Sequence, residues 1–193
     1  MEYLDIVDEN GKPTGETVER SYAHKYGIRH RTAHVWIVRK TEAGVDILLQ
    51  KRAMIKTFPG CYDISSAGHI QAGQDFKESA IRELGEELGV KADESELVLC
   101  GERHIVWDDV FFGEEFHDRQ FTKVFILWKD IDEGELTLQE EEVDSVRWMD
   151  LEECIKGVAE HAFDNCIAPE ELEMIRTTIN STKRRDDENR RLE

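Results

Sequence analysis

The spacing of apolar and polar residues along the chain distinguishes predicted strands, which are short apolar runs, from predicted helices, in which apolar residues recur every three or four positions. Short apolar runs between turn residues predict strands at residues 3–7, 16–19, 33–39, 46–50, 97–106, 120–128 and 145–149. Helical segments are predicted at residues 21–25, 76–88, 151–163 and 169–180. Strands mixed with segregated helices in this way indicate an α+β layered domain.

The termini of the chain have different characters. Asn10-Gly11 between the first two predicted strands is a strong signal for a β-hairpin. We therefore expect one domain over residues 1–182, which includes an N-terminal hairpin within residues 1–27. Residues 183–193 are largely charged and are expected to form a frayed tail. The exposed edge of the hairpin is a candidate contact for a homodimer.

Composition fits a globular protein with a sizeable core. The chain has 193 residues, of which 39% are hydrophobic. No apolar run approaches the roughly 18 residues of a membrane span, and the N-terminus does not resemble a signal peptide. The cysteines show no metal-ligand spacing and are expected to be free thiols in a reducing cytoplasm; they are Cys61, Cys100, Cys154 and Cys166.

The net charge restricts the partners of the protein. A formal charge of −18 argues against binding to nucleic acid polymers and to acidic membranes. A small anionic substrate would need a locally positive pocket that contains metal ions.

Acidic residues dominate one predicted helix. Glu83, Glu86 and Glu87 stand at positions i, i+3 and i+4, so their side chains share one face of the helix. Carboxylates this close raise one another's pKa unless a cation lies among them, and Mg²⁺ is the typical partner of such oxygen ligands. The alternative is an ordinary solvated face, since apolar residues adjoin the glutamates at helical spacing.

The segment from Gly68 to Val90, GHIQAGQDFKESAIRELGEELGV, favours the metal site because it resembles the Nudix box. That box reads glycine, five residues, Glu, seven residues, then Arg-Glu-aliphatic-any-Glu-Glu-any-Gly-aliphatic. The matching positions are Gly68, Arg82, Glu83, Leu84, Glu86, Glu87, Gly89 and Val90.

The resemblance implies a fold and a chemistry. The fold is the Nudix α/β/α sandwich with a mixed central sheet. The implied activity is Mg²⁺-dependent hydrolysis of a small diphosphate compound, with Mn²⁺ as a substitute ion. Glu83, Glu86 and Glu87 become the expected catalytic and metal-binding residues, and the backbone carbonyl of Ala67 becomes a further ligand.

One position departs from the box, because Gln74 replaces its first glutamate. The resemblance gives Gly68, Gln74, Arg82 and Gly89 structural roles, with Arg82 tying the helix to the loop near Gln74. A glutamine can accept a hydrogen bond from Arg82 but brings no charge to the metal cluster.

A narrower resemblance points to the branch that includes type I isopentenyl-diphosphate isomerase. His24, His30 and His69 are similar to histidines that hold the catalytic metal of that isomerase, and His69 is also a candidate substrate contact. Arg52 and Lys56 resemble the pair that grips the substrate diphosphate.

Two positions argue against isomerase activity. The acid–base cysteine and glutamate of that mechanism are replaced by Ala67 and Gln120. The isomerase resemblance is therefore interpreted as shared ancestry of the scaffold.

A long loop is predicted at residues 108–118, between two strands. Its acidic residues are candidates for a general base. Its aromatic neighbours would stack on a base, cover an apolar tail or simply pack. The residues concerned are Glu114, Glu115, His117 and Asp118, with Trp107, Phe111, Phe112 and Phe116.

Three function classes follow from these patterns. The first is a Nudix-type hydrolase of a nucleoside-diphosphate-type or related organic diphosphate. The second is an isomerase of the isopentenyl-diphosphate type. The third is a sensor that binds a nucleotide without cleaving it, favoured by Gln74 and opposed by the intact glutamates.

Overall fold

The computed structural model describes the backbone of residues 1–111 and 113–190 and the side chains of the same residues up to 182. The strands are β1 Tyr3–Val7, β2 Pro13–Glu19, β3 His30–Lys40, β4 Val45–Arg52, β5 Tyr62–Asp63, β6 Ser66–His69, β7 Leu97–Phe111, β8 Glu114–Trp128 and β9 Val143–Asp150. The α-helices are α1 Arg20–Tyr26, α2 Phe76–Leu88, α3 Leu151–Ala159 and α4 Pro169–Arg190.

The central sheet is mixed and splits at one end. Strand β3 pairs in parallel with β8 and antiparallel with β4 and β6. The β3–β4 ladder joins Val38–Lys40 to Val45–Ile47. Beyond it β6 takes the place beside β3, while β5 takes the place beside β4. Because β3 and β4 separate beyond this ladder, a cleft opens at this end of the sheet.

Each face of the sheet has its own core. One face packs on α2, with Ala33, Val35 and Ile37 of β3 against Leu84 and Leu88. The opposite face packs on α3 and α4; its members include Trp36, Val38, Leu151, Leu172 and Ile175. Alternate side chains of a strand point to opposite faces, so β3 supplies both cores. These layers confirm the expected α/β/α sandwich with a mixed sheet.

The N-terminal hairpin also forms as predicted. Strands β1 and β2 pair antiparallel, and the side chain of Asp8 accepts hydrogen bonds from the backbone N–H groups of Asn10 and Lys12. Gly11 completes the turn with a positive φ of 73°.

Helix α2 has the predicted bounds because strong signals lie at both ends. Asp75 is its N-cap, and Gly89 ends it in the left-handed conformation with φ 69°. The Gly89 N–H donates to the Gly85 carbonyl, and the Val90 N–H donates to the Leu84 carbonyl. This closing pattern favours glycine. A Cβ at Gly89 would also lie 2.9 Å from the Cβ of Thr137.

Three predictions about elements need correction. Residues 108–118 are not a long loop, because β7 and β8 pair from Leu97↔Leu127 to Phe111↔Glu114 and form one long hairpin. Val106 and Val110 are both exposed on this ribbon, so this part of the hairpin has no buried apolar period from which to predict it. The sequence predicts no strand at residues 66–69, but β6 lies there and contains Gly68. Helix α3 ends at Ala159, earlier than predicted.

The C-terminal part of the chain continues α4 through residues 183–190, where the sequence indicated a frayed tail. Lys, Arg and Glu are good helix formers, which accounts for the extension. Fraying of this end stays a prediction, and residues 191–193 lie outside the described part.

The cysteines are free thiols, as predicted, and Cys154 is fully buried. In the described residues, no helix is both long and apolar enough to cross a membrane.

Candidate active site

The cleft where β3 and β4 separate has a volume of about 1600 Å³. Helix α2 and strand β6 form one wall, and the start of α4 lies opposite. The β7–β8 hairpin and residues 55–58 form the rim. All of the predicted catalytic glutamates line this cleft.

Glu87 is the box residue with the most unusual surroundings. It is 5% exposed, and its Oε2 atom has no hydrogen-bond partner among the described residues. Burial raises the pKa of Glu87 to about 8, and the charge of Glu83 adds to the effect. A buried carboxylate oxygen without a partner is costly unless a proton or a cation compensates it. Glu87 therefore fits a cation ligand.

Glu83 and Glu86 share the guanidinium of Arg82. Arg82 Nη2 donates to Glu83 Oε1 over 2.7 Å, and Nη1 donates to Glu86 Oε2 over 2.8 Å. Glu83 is half-buried, and burial raises its pKa. Glu86 has an exposed side chain. The three glutamates thus differ in environment: Glu87 is buried, Glu83 is half-buried and Glu86 is exposed to solvent.

Glycine at position 68 makes room for Glu83. A Cβ on Gly68 would lie 2.1 Å from the Cγ of Glu83, a distance that no side chain tolerates. The same strand carries Ala67, the predicted carbonyl ligand, so α2 and β6 bring this backbone beside the glutamates.

The predicted link between Arg82 and Gln74 is wrong. Gln74 Oε1 accepts a hydrogen bond from Ser79 Oγ at 3.0 Å, within the first turn of α2. Arg82 instead donates to the His69 carbonyl at 3.3 Å. Arg82 therefore links α2 to β6, since His69 is the last residue of that strand.

Arg52 and Lys56 both line the cleft, and each already has a carboxylate partner. Arg52 Nη1 lies 2.8 Å from Asp63 Oδ2, and its Nε donates to the Thr57 carbonyl. Lys56 pairs with Glu142. The predicted phosphate-binding cations are thus held in place before any ligand arrives.

Three histidines converge at the outer end of the cleft. Ring nitrogens of His24, His30 and His69 lie within 4.8 Å of one another. The Nε2 atoms of His24 and His69 are 3.1 Å apart. Asp118 Oδ1 lies 3.6 Å from His24 Nδ1 and 3.8 Å from His30 Nε2.

Unpartnered atoms point into this cluster. His24 Nδ1, His30 Nε2 and Asp118 Oδ1 are buried without hydrogen bonds among the described residues. Burial lowers the pKa of His24 to about 3 and also lowers the pKa of His30 and His69. Neutral imidazoles beside a carboxylate are the ligand set of a transition metal such as Zn²⁺ or Mn²⁺. The arrangement fits such an ion.

Gln120 supports this cluster. Its Nε2 donates to Asp118 Oδ2 over 2.7 Å, and its Oε1 accepts from Thr32 Oγ1 over 3.0 Å. Such a support around a metal ligand fixes its orientation. Asp118 was predicted only as a member of an acidic loop; its alternation with Gln120 in β8 was the signal for its position.

Aromatic side chains form the rim above the histidines. Phe116 stacks on His24 with ring centroids 4.4 Å apart, and Trp107 lies 5.9 Å from Phe116. Phe58 of the opposite rim approaches Trp107 at 5.3 Å and Phe111 at 5.8 Å. These rings belong to neither core; Phe58 lies in the loop between β4 and β5, and the other three lie in the β7–β8 hairpin. Phe112 lies outside the described residues, and Glu114 and Glu115 line the mouth of the cleft.

A further polar group on the opposite wall was not predicted from the sequence. His34 Nδ1 lies 2.8 Å from Glu171 Oε1, and Trp36 Nε1 donates to Glu171 Oε2 over 3.0 Å. Arg103 pairs with the same carboxylate. The strict alternation of His30, Thr32, His34 and Trp36 indicates one face of β3, but the distant Glu171 gives no sequence signal.

Comparison with known proteins gives the family of the chain. Residues 28–166 match the NUDIX domain. An uncharacterized Nudix hydrolase of Clostridium acetobutylicum is 35% identical over 153 residues, which cover 79% of this chain and 71% of that protein. Nudix hydrolase 3 of Arabidopsis thaliana is 39% identical over 156 residues, which cover 79% of this chain but 20% of that longer protein.

A solved structure agrees with this result. The crystal structure of DR0079 from Deinococcus radiodurans superimposes with a TM-score of 0.64 at 20% identity, covering 91% of this chain and 98% of that one. At this identity the likeness supports the fold alone. The family match over residues 28–166 and the 35% identical relative together show that the chain belongs to the Nudix hydrolase family.

Proposed function

We propose that the protein is a Mg²⁺-dependent hydrolase that cleaves the diphosphate bond of a small nucleoside-diphosphate-type or related organic diphosphate. The observation that carries the proposal is the buried Glu87 carboxylate, which has an unpartnered Oε2 atom and lines the same cleft as Gly68 and Ala67.

Glu83 and Glu87 would hold the ion, together with the Ala67 carbonyl. Oxygen ligands of this kind suit Mg²⁺, and Mn²⁺ would substitute for it. When bound, the ion neutralises the diphosphate and lowers the pKa of a coordinated water molecule. Glu86 lines the cleft with an exposed side chain, so we propose that it accepts the proton from the attacking water.

Arg52 and Lys56 would bind the diphosphate oxygens. The partner carboxylates Asp63 and Glu142 keep both cations at the cleft while the site is empty of substrate. Charged donors on phosphate oxygens form strong hydrogen bonds. Substrate binding then exchanges protein carboxylates for phosphate groups at the same cations.

The histidine cluster would hold a second ion of a different kind. His24, His30 and His69 offer nitrogen, and Asp118 adds one oxygen. Such a ligand set prefers Zn²⁺ or Mn²⁺ over Mg²⁺. The resemblance to the isomerase branch supports this assignment, and His69 would then serve the metal rather than the substrate directly.

Isomerase chemistry is the second candidate, and the cleft disfavours it. Ala67 has no acid–base group, and both ends of the Gln120 amide are hydrogen-bonded. Neither face of an allylic carbon would meet a proton donor or acceptor at these two positions.

The test is a panel of diphosphate compounds that includes isopentenyl diphosphate. Phosphate and diphosphate release would be measured with Mg²⁺, with Mn²⁺ and with chelator, for the wild type and for Glu87→Gln. We expect Mg²⁺-dependent release that Glu87→Gln lacks. Rearranged isopentenyl diphosphate without phosphate release would support the isomerase. Tight binding of an intact compound, with no turnover in the panel, would support the sensor.

A further inference from the structure

The N-terminal hairpin of β1 and β2 contacts the box connection, which is residues 70–74 between β6 and the start of α2. Strand β6 carries the Ala67 carbonyl, and α2 carries the box glutamates. The box connection therefore joins the two halves of the proposed Mg²⁺ site, and its conformation sets their relative position. The hairpin lies outside residues 28–166, over which the chain matches the NUDIX domain.

Arg31 of β3 binds both ends of the box connection. Its backbone carbonyl accepts a hydrogen bond from the Ile70 N–H over 3.0 Å, and its Nη2 atom donates to the Gln74 carbonyl over 3.0 Å. The same guanidinium lies over the ring of Phe76, the first residue of α2, at 5.2 Å from the ring centroid. One residue of the central sheet thus determines where the connection leaves β6 and where it enters α2.

Asp5 of β1 restrains the side chain of Arg31. Its Oδ2 atom lies 2.8 Å from Arg31 Nη2 and also accepts a hydrogen bond from the Gly73 N–H over 2.9 Å. The two side chains are only 12% and 8% exposed, so water and salt screen this ion pair less than a surface pair. Among the described residues, Asp5 is the only carboxylate within ion-pair distance of Arg31.

The backbone of β1 binds the same connection. The Ala72 N–H donates to the Tyr3 carbonyl over 2.8 Å, and Leu4 forms a β-bridge with Gln71. The box connection belongs to no helix or strand of its own. Strand β1 therefore supplies both backbone contacts and a carboxylate to a segment that lacks regular secondary structure.

The departure from the box at Gln74 gives these contacts a role. The Gln74 side chain accepts a hydrogen bond from Ser79 and carries no charge. The Gln74 carbonyl instead contacts Arg31, and Asp5 balances the charge of Arg31. A charged pair thus braces the box connection although the first glutamate of the box is absent.

We propose that Asp5 is a positioning residue of the hydrolase. Through Arg31 and Gly73 it holds the box connection, and so it fixes the box glutamates against the Ala67 carbonyl for Mg²⁺ binding. This inference rests on the proposed function, because it takes the ion to bind at the box. The N-terminal hairpin then contributes to the active site although it lies outside the matched domain.

The alternative is that Asp5 only attaches the hairpin to the domain, and Asp8 separates the two roles. Asp8 accepts hydrogen bonds from the N–H groups of Asn10 and Lys12, and its hydrogen bonds among the described residues stay within the hairpin turn. Asp8→Ala therefore weakens the hairpin without touching the box connection. Asp5→Asn keeps a hydrogen-bond acceptor but loses the charge, and Asp5→Ala loses both.

A further variant reaches the box connection from its exposed side. Gly73 has a φ of 80°, and no atom lies within 4 Å of the position that its Cβ would take. An alanine side chain there meets no neighbour but strains the left-handed backbone. Gly73→Ala therefore perturbs the connection while Asp5 and the rest of β1 stay in place.

The experiment measures Mg²⁺ binding by isothermal titration calorimetry and counts only the binding that Glu87→Gln lacks. The wild type is compared with the Asp5, Asp8 and Gly73 variants at a temperature at which circular dichroism shows each protein to be folded. Steady-state kinetics on the best diphosphate of the panel gives kcat and KM. Hydrogen exchange of the Gln74 amide, measured by NMR in the metal-free proteins, reports on the box connection without metal or substrate.

We expect Asp5→Ala to raise the Kd of Mg²⁺ and to lower kcat by about tenfold or more each, with KM nearly unchanged. Asp5→Asn should give a smaller change, because it keeps an acceptor for the Gly73 N–H. Gly73→Ala should raise the Kd of Mg²⁺ in the same direction, whereas Asp8→Ala should stay within about twofold of the wild type. The Gln74 N–H donates to the Gln71 carbonyl and not to Asp5, so faster exchange of this amide in Asp5→Ala would show that the whole connection has loosened.

Two results would overturn the proposal. Wild-type values of the Mg²⁺ Kd and of kcat in Asp5→Ala would remove the positioning role, and an equal loss in Asp8→Ala would leave Asp5 as an attachment of the hairpin. If Asp5→Ala does not fold, wild-type values in both Asp5→Asn and Gly73→Ala would overturn it. In all these cases Mg²⁺-dependent hydrolysis by the wild type keeps the proposed function. If the wild type neither binds Mg²⁺ nor hydrolyses the panel, the proposed function and this inference fall together.

Discussion

Replacing Glu87 by glutamine should stabilise the metal-free protein while abolishing its activity. The pKa of Glu87 is raised by burial from 4.5 to about 8. Its proton is therefore bound more tightly in the folded state than in the unfolded state. The stability associated with the protonated form is complete below about pH 4.5 and is lost as the pH rises toward 8. Glutamine stays neutral throughout this window.

The magnitude follows from the width of the window. At pH 7.5, three pH units above the unfolded value, the ionisable group costs the folded state about 4 kcal/mol at most, since each unit is worth about 1.4 kcal/mol. Relaxation and water entry around a buried charge reduce such costs. We expect Glu87→Gln to gain about 2–4 kcal/mol at pH 7.5 and almost nothing at pH 5.

The assay is urea unfolding of chelator-treated protein between pH 5 and pH 8, repeated with saturating Mg²⁺. Glu86→Gln is the matched control, because the Glu86 side chain is exposed and its replacement should produce no pH-dependent gain. Mg²⁺ should stabilise the wild type and leave Glu87→Gln unaffected. A Glu87→Gln protein that is less stable than the wild type by the same amount at every pH would refute the reasoning.

Further predictions concern the rest of the site. Gly68→Ala should reduce kcat/KM by about 100-fold or more while the protein still folds, because the new Cβ displaces Glu83; steady-state kinetics with circular dichroism tests this. His24→Ala should lower the transition-metal content measured by mass spectrometry, whereas Glu87→Gln should not. Arg52→Gln should raise KM for the diphosphate about tenfold, and Lys51→Gln, which alters a neighbouring cation outside the cleft, should leave KM unchanged.

Local signals made much of the fold predictable. Asp75 and Gly89 define the ends of α2, and Asn10-Gly11 places the N-terminal turn. The hairpin of β7 and β8 was missed because each face of its outer half mixes apolar and charged residues, as in Trp107, Asp109 and Phe111 on the face toward the cleft. No continuous apolar stripe therefore marks these residues as a strand. Strand β6 was missed because its four residues, SAGH, have little intrinsic preference for a strand.

The residues of the site likewise fall into a group that the sequence predicts and a group that it does not. The box glutamates stand at positions i, i+3 and i+4 of one helix, so their spacing in the sequence alone brings them together. The link between His34 and Glu171 joins positions 137 residues apart in the chain. Asp118 meets His24 only because β8 pairs in parallel with β3 and α1 packs beside it. Spacing carries no information about such contacts, which depend on topology.

The most direct measurement of the central claim is ³¹P NMR of the diphosphate panel, incubated with wild-type protein and Mg²⁺ in ¹⁸O-labelled water. Attack by water on phosphorus predicts one ¹⁸O atom in a phosphate product, formed with Mg²⁺ and absent with chelator or with Glu87→Gln. Unlabelled products, or labelled products that form equally well with Glu87→Gln, would contradict the account.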